Sequence, residues 1–222
     1  METHNYLNTH ANEMLDDGVE LHPLRPFLPN NAKVLFLGSF PPQQKRWSKG
    51  FNFYYPNFIN DHWRIEGLIF FDNKDYFVDQ QNKTFRLTPI IDFLKEKGIA
   101  LFDTCTAIRR LKDNASDKFL EVVQPTDIRA LLQQLPQCQL IVTTGEKATE
   151  TLLANLGLNK TPKIGTSLPT GLYNNHGESI EVYRLPSSSR AYPMNILKKA
   201  EYYRQMFIHA GIIADNTSGV GL

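Results

Sequence analysis

Short unbroken apolar runs alternate along this chain with longer segments whose apolar residues recur at helical spacing. Lys33–Leu37, Ile99–Phe102 and Leu140–Thr143 are runs of the first kind, and Ile180–Leu185, interrupted by Glu181 and Arg184, reads as a further strand. Each is too short for a stable helix, and the continuous run at 33–37 predicts a strand buried on both sides of a parallel sheet. Between them, a helix is predicted from Trp63 to Phe71. A second carries Ile90, Ile91 and Leu94 on one face, with Thr88 as its cap, Pro89 at its first position and Gly98 as its stop. Further helices are expected over Thr126–Leu135, stopped by Pro136, over Glu146–Leu156, and from about Met194 to Ala210, ended by Gly211. The alternation predicts an α/β protein of three layers, α/β/α, around a central, mostly parallel sheet.

The remaining segments lack such periodicity. Residues 72–86 are polar and read as a surface insertion. Residues 1–30 read as an N-terminal extension, with a short helix near Glu13–Leu15 and a Pro23/Pro26/Pro29 connector. Residues 212–222 read as a frayed tail, which leaves one domain over 31–211. No apolar run is long enough to span a bilayer, and Met1-Glu-Thr-His-Asn lacks the order of a signal peptide, so a cytoplasmic protein is expected.

In folds of this kind ligands bind beyond the C-terminal ends of the strands, where Gly38, Asp103, Thr144 and Pro186 fall. Two proline-stiffened polar loops, Gly38-Ser39-Phe40-Pro41-Pro42 and Leu185-Pro186-Ser187-Ser188-Ser189-Arg190-Ala191-Tyr192, lie at two of those ends and read as halves of one pocket. The net charge of +1 says little about partners. The distribution says more. Lys45, Arg46 and Lys49 flank Trp47; Arg109, Arg110 and Lys112 form a second cluster; Lys198 and Lys199 follow the last loop. Each cluster alone reads as a solvated surface, but their shared placement beside the loops suits phosphate contacts. Cys105 and Cys138, with 32 residues between them, fit no metal-ligand spacing and read as buried thiols.

The Gly38-Ser39-Phe40-Pro41 loop, the segment Tyr54-Tyr55 through Asn60-Asp61-His62-Trp63, and the Leu-Pro-Ser-x-Ser run at 185–189 together resemble the uracil-DNA glycosylase superfamily, closest to its mismatch-specific and hypoxanthine-DNA glycosylase branches. Two weaker matches, Ile99–Asp103 with Arg109, Arg110, Ser116 and Asp117, and Thr143–Ala148, carry the resemblance across roughly residues 33–207. It implies a uracil-DNA-glycosylase-like fold and a monofunctional DNA N-glycosylase, a hydrolase of base-excision repair that removes a deaminated base of the uracil or hypoxanthine class. It implies DNA as partner, a monomer, and neither cofactor nor metal.

By the same resemblance Asn60 and Ser39 are the catalytic residues, with Asn60 holding water or the base. Gly38, Phe40, Pro41, Tyr55 and Thr144 bind the substrate base, with Tyr55 stacking on it. Ser187, Ser188, Ser189 and Arg190 meet the DNA backbone. Many branches place Asn or Asp where this chain has Phe40, and His62 stands where the hypoxanthine branch has phenylalanine. Other readings of the same residues stay open. Asn60 suits a helix cap, Tyr55 suits core packing, Asp103 suits a loop anchor as well as an acid, and the serine run suits a helix N-terminal turn. The alternative function is a non-catalytic nucleic-acid-binding protein of the same fold; a small-molecule hydrolase using the same cleft is a third.

Overall fold

The computed structural model describes residues 6–8, 18–112 and 117–215. In chain order its strands and helices are β1 (Val19–Leu21), β2 (Val34–Gly38), α1 (His62–Phe71), β3 (Val78–Asp79), β4 (Thr84–Phe85), α2 (Leu87–Lys97), β5 (Ile99–Asp103), β6 (Cys105–Arg110), β7 (Leu120–Pro125), α3 (Ile128–Gln133), β8 (Leu140–Thr144), α4 (Glu146–Leu156), β9 (Ser167–Tyr173), β10 (Ser179–Leu185) and α5 (Ile196–His209). A five-stranded sheet runs β5-β2-β8-β10-β9. Its first four strands pair in parallel, and β9 closes the far edge antiparallel to β10. All residues of β2, β5 and β8 are buried, as continuous apolar runs covered on both faces must be. The result is a mixed α/β structure with a central sheet and surrounding helices.

The parallel register sets the site. Gly38 lies opposite Asp103, and Thr144 opposite Leu185, so the strands end together and present their following loops on one rim. Below that rim the core is rich in aromatics, with Phe36, Phe51, Phe53, Trp63, Phe77, Tyr203 and Phe207 all sealed from solvent.

Several sequence expectations need correction. Helix α2 starts at Leu87 with Arg86 before it, so Thr88 is not its cap and Pro89 stands in the third helical position. Proline is tolerated there because the N–H groups of the first turn have no partner within the helix. Helices α3 and α5 start about two residues later than expected, where Asp127 and Asn195 cap them by accepting the N–H of Ala130 and Lys198 at 3.0 and 2.9 Å. The polar 72–86 segment holds the β3–β4 hairpin and sends Phe77, Val78 and Phe85 into the core.

Periodicity also missed a second sheet, β1-β6-β7, and the edge strand β9. Strand β1 lies within the stretch read as an extension, yet it pairs with β6, and Leu24 and Phe27 beyond it are buried. Phe27 exchanges both backbone hydrogen bonds with Leu101, at 3.0 and 2.9 Å, along the outer side of β5. The expected helix near Glu13–Leu15 lies outside the described residues, as does Ser116. No helix among the described residues is long and apolar enough to cross a membrane.

Candidate active site at the strand ends

The floor of the site is where β2 and β5 stop. Asp103 Oδ1 sits directly over Gly38, so a Cβ at that position would collide with the carboxyl group. Only glycine lets strand and carboxyl approach this closely. The other oxygen, Oδ2, is 2.9 Å from His22 Nε2, and both residues are buried. His22 comes from the segment after β1, and its Nδ1 lies 2.8 Å from the Leu24 carbonyl and 3.1 Å from the Leu24 N–H. Ser39 is also buried, and its hydroxyl bonds the carboxyl of Asp117. Burial pushes Asp117 above the ordinary carboxylate range, against the lowering effect of the Ser39 hydrogen bond.

Phe40 does not face the cleft. It turns into the second sheet, packing with Cys105, Ile108 and Leu120, its ring edge-on to His22 at 5.1 Å. Pro41 is buried, and its carbonyl accepts a 2.6 Å hydrogen bond from Arg110 Nη2. Arg110 Nε also pairs with Glu20 at 2.9 Å, while Arg109 pairs with Glu121 at the same distance. Arg110 therefore braces the first loop and is not a free phosphate ligand. Cys105 and Cys138 are buried free thiols, pushed by burial up to about 11 and about 12 respectively.

Tyr55 forms the aromatic wall. Its φ of 51° is left-handed, a conformation a tyrosine adopts only when its surroundings fix it. Two contacts do so. Its ring stacks on His62 at 3.6 Å and 14°, and its hydroxyl lies 3.3 Å from Thr144 Oγ1 at the end of β8. Burial raises its phenol further above the ordinary range, so the ring is neutral. The core-packing reading of Tyr55 thus holds in part, since its ring packs on His62 but stays half-buried.

Beneath it, His62 and Glu66 form a buried pair with a 3.7 Å separation, leaving His62 Nδ1 and Glu66 Oε2 without hydrogen bonds. Burial pushes His62 down to about 3, so it is neutral near pH 7, and pushes Glu66 well above its usual range. Below an ordinary histidine value of 6.5 the unfolded chain takes up a proton that folded His62 refuses until about pH 3, so stability from this group falls as pH falls through that window. Glu66 acts in the opposite direction, losing stability as pH rises past its unfolded value. His62→Phe removes an unpartnered polar atom while keeping a ring under Tyr55. It should stabilise the protein by about 1–3 kcal/mol, with an advantage over wild type that widens between pH 7 and pH 4. A melting temperature measured across that range checks both parts, and an advantage that shrinks with acid would contradict the assignment.

Along the same rim, Asn60 Oδ1 accepts the His62 N–H at 2.9 Å, a turn that supports the start of α1 although Asp61, and not Asn60, stands at the cap position. The amide nitrogen has no hydrogen bond among the described residues. In the last loop the hydroxyls of Ser187 and Ser189 each accept an N–H two residues on, at 3.2 Å, which shapes a turn before α5. Ser188 points inward: it is buried and its carbonyl accepts the Asp61 N–H at 3.1 Å, while the Tyr203 hydroxyl behind the loop donates to the Pro186 carbonyl at 3.3 Å. Arg190 is half exposed and pairs through Nε with Asp61 Oδ1 at 2.8 Å. Lys199 is fully buried, reaching Asp61 Oδ2 at 3.3 Å and the Ser189 carbonyl at 2.7 Å. It locks the loop to the start of α1, which replaces its expected role in phosphate binding.

The fold thus brings Gly38, Ser39, Tyr55, Thr144, Asn60 and the serine loop to one rim, and turns Phe40 and Ser188 away from it. Sequence reasoning missed His22, and treated Asp117 only as part of a weak motif match. His22 sits 81 residues from Asp103, in a proline-rich stretch with no local signal of chemistry.

No family model and no curated protein matches the chain. Among solved structures it is similar to the solution NMR structure of a "putative Uracil DNA glycosylase" from Methanosarcina acetivorans, at 24% sequence identity and a TM-score of 0.53, over 84% of this chain and 96% of that one. At this identity the likeness concerns the fold alone, a mixed α/β structure with a central sheet and surrounding helices.

Proposed function

We propose that the protein is a monofunctional DNA glycosylase that hydrolyses the bond between deoxyribose and a deaminated base, on the three-layer α/β/α scaffold of the uracil-DNA glycosylase superfamily. The observation that carries this reading is Tyr55, a neutral ring fixed over the strand ends by His62 and Thr144, beside a glycine floor and a hydrogen-bonding rim. A rigid aromatic face suits a base taken out of the helical stack, and such stacking contributes roughly 1–3 kcal/mol per base. The base lies against Tyr55, with Thr144 and the backbone of Gly38, Ser39 and Pro41 at its edge. The Asn60 amide donates to the base or to water. Ser187, Ser189 and Arg190 line the approach of the phosphates.

Labelled duplexes carrying uracil, hypoxanthine or xanthine, incubated with the protein and then treated with alkali, test this. Strand scission at one of these bases is expected. Tight binding without scission at any of them would replace the enzyme by the nucleic-acid-binding alternative.

A further inference from the structure

We propose that Asp103 holds and deprotonates the attacking water, and that His22 is the positioning residue that fixes its carboxyl group; this deepens the glycosylase reading above and rests on it. Hydrolysis of a glycosidic bond needs an acceptor for the proton of water as positive charge grows on the sugar. Phe40 is buried in the second sheet and offers no polar atom. Asn60 has its oxygen on the His62 N–H, and an amide cannot take up a proton. Tyr54 and Tyr55 are neutral phenols raised by burial.

Among the carboxyl groups of the floor, Asp117 is engaged with Ser39 and pushed toward its protonated form, with Arg110 and Lys147 acting against that trend. Asp103 differs from it. His22 holds Oδ2 at 2.9 Å, while Oδ1 accepts no hydrogen bond among the described residues, and its side chain keeps 10% exposure at the strand end. The required glycine at position 38 is what makes room for Oδ1 there. A carboxyl group used only to anchor the N-terminal arm would gain nothing from one oxygen left over the substrate-side glycine.

The step balances without a further reactant. The water oxygen bonds to C1′ of the deoxyribose as the C1′–N bond breaks, and the bonding pair leaves with the base. The water proton passes to Asp103 Oδ1 and then to solvent, and the departing base anion takes one proton from solvent. One water is consumed, and the products are a free base and an abasic sugar.

Single-turnover excision of the base that wild type removes, with melting temperature and affinity for undamaged duplex measured alongside, tests the assignment. Asp103→Asn should slow excision by roughly 10²–10⁴-fold, the scale for a lost general base, with affinity for undamaged duplex retained. His22→Gln keeps an amide donor for Asp103 and should stay within about 10-fold of wild type, whereas His22→Leu should lose roughly 10²-fold. Added formate should raise the rate of Asp103→Ala and formamide should not, a response that a structural role would not produce. If wild type excises and Asp103→Asn excises as fast, this proposal is overturned while the glycosylase reading stands. If wild type excises none of the bases, both fall. If Asp103→Asn does not fold, equal rates in folded His22→Gln and His22→Leu overturn the proposal.

Discussion

Asp61→Ala should destabilise the protein by about 3–5 kcal/mol, the cost of leaving a buried charge without its partner. The charge is that of Lys199, fully buried and held by Asp61 and the carbonyl oxygens of Ser188 and Ser189. For a chain of this size that corresponds to a melting temperature lower by on the order of 10 °C. Lys199→Met should cost less, because Asp61 keeps Arg190 and the buried cation is gone altogether. Combining Asp61→Asn with Lys199→Met should recover part of the loss, since a buried ion pair often contributes little beyond an apolar replacement. Thermal or denaturant unfolding of the three variants gives the order directly. Equal losses for Asp61→Ala and Lys199→Met would show that neither charge depends on the other. The serine loop should become susceptible to proteolysis in Asp61→Ala, because its carbonyl groups and the start of α1 share this one clasp.

The second large effect is on rate. Asn60→Ala should reduce single-turnover excision by roughly 10²-fold or more, the scale for one positioned hydrogen-bonding group, and should also cost about 1 kcal/mol of stability for the lost hydrogen bond to the His62 N–H. Asn60→Asp separates the two roles. An aspartate oxygen accepts the same N–H as the asparagine oxygen, so the bond to the His62 N–H and the melting temperature should survive. The amide donor does not survive, so excision should still fall. An Asn60→Asp protein that excises at the wild-type rate would remove Asn60 from the chemistry and leave it a structural turn residue at the start of α1.

The strands of the parallel sheet were legible because a strand covered on both faces must be apolar throughout, and Val34–Gly38, Ile99–Asp103 and Leu140–Thr144 are almost entirely so. Their ends then placed Gly38, Asp103 and Thr144 without further information. Strands β6 and β7 escaped because they mix charge with apolar residues, and Arg109, Arg110 and Glu121 make sense only once paired across the sheet or with Glu20. Strand β9 carries Pro169 and Gly171, which read as turn residues. The direction in which a loop side chain points was not legible either. Phe40 and Ser188 turn inward because the second sheet and Tyr203 lie behind them, and neither neighbour is close in sequence. His22 was invisible for the same reason: its chemistry exists only through a partner on another strand.

The two margins of the central sheet also bear on how the protein behaves at high concentration. An open strand edge is a template on which a second molecule can add its own backbone, the first step toward insoluble aggregates. At β5 that template is partly occupied, since Phe27 exchanges both of its backbone hydrogen bonds with Leu101. At β9 it is interrupted, because Pro169 has no N–H to offer, Gly171 takes a positive φ of 75°, and the pairing with β10 slips at Ile180/Glu181. The irregularities that hid β9 from periodicity therefore protect against self-assembly, and restoring a regular, β-branched sequence there would trade solubility for a tidier strand.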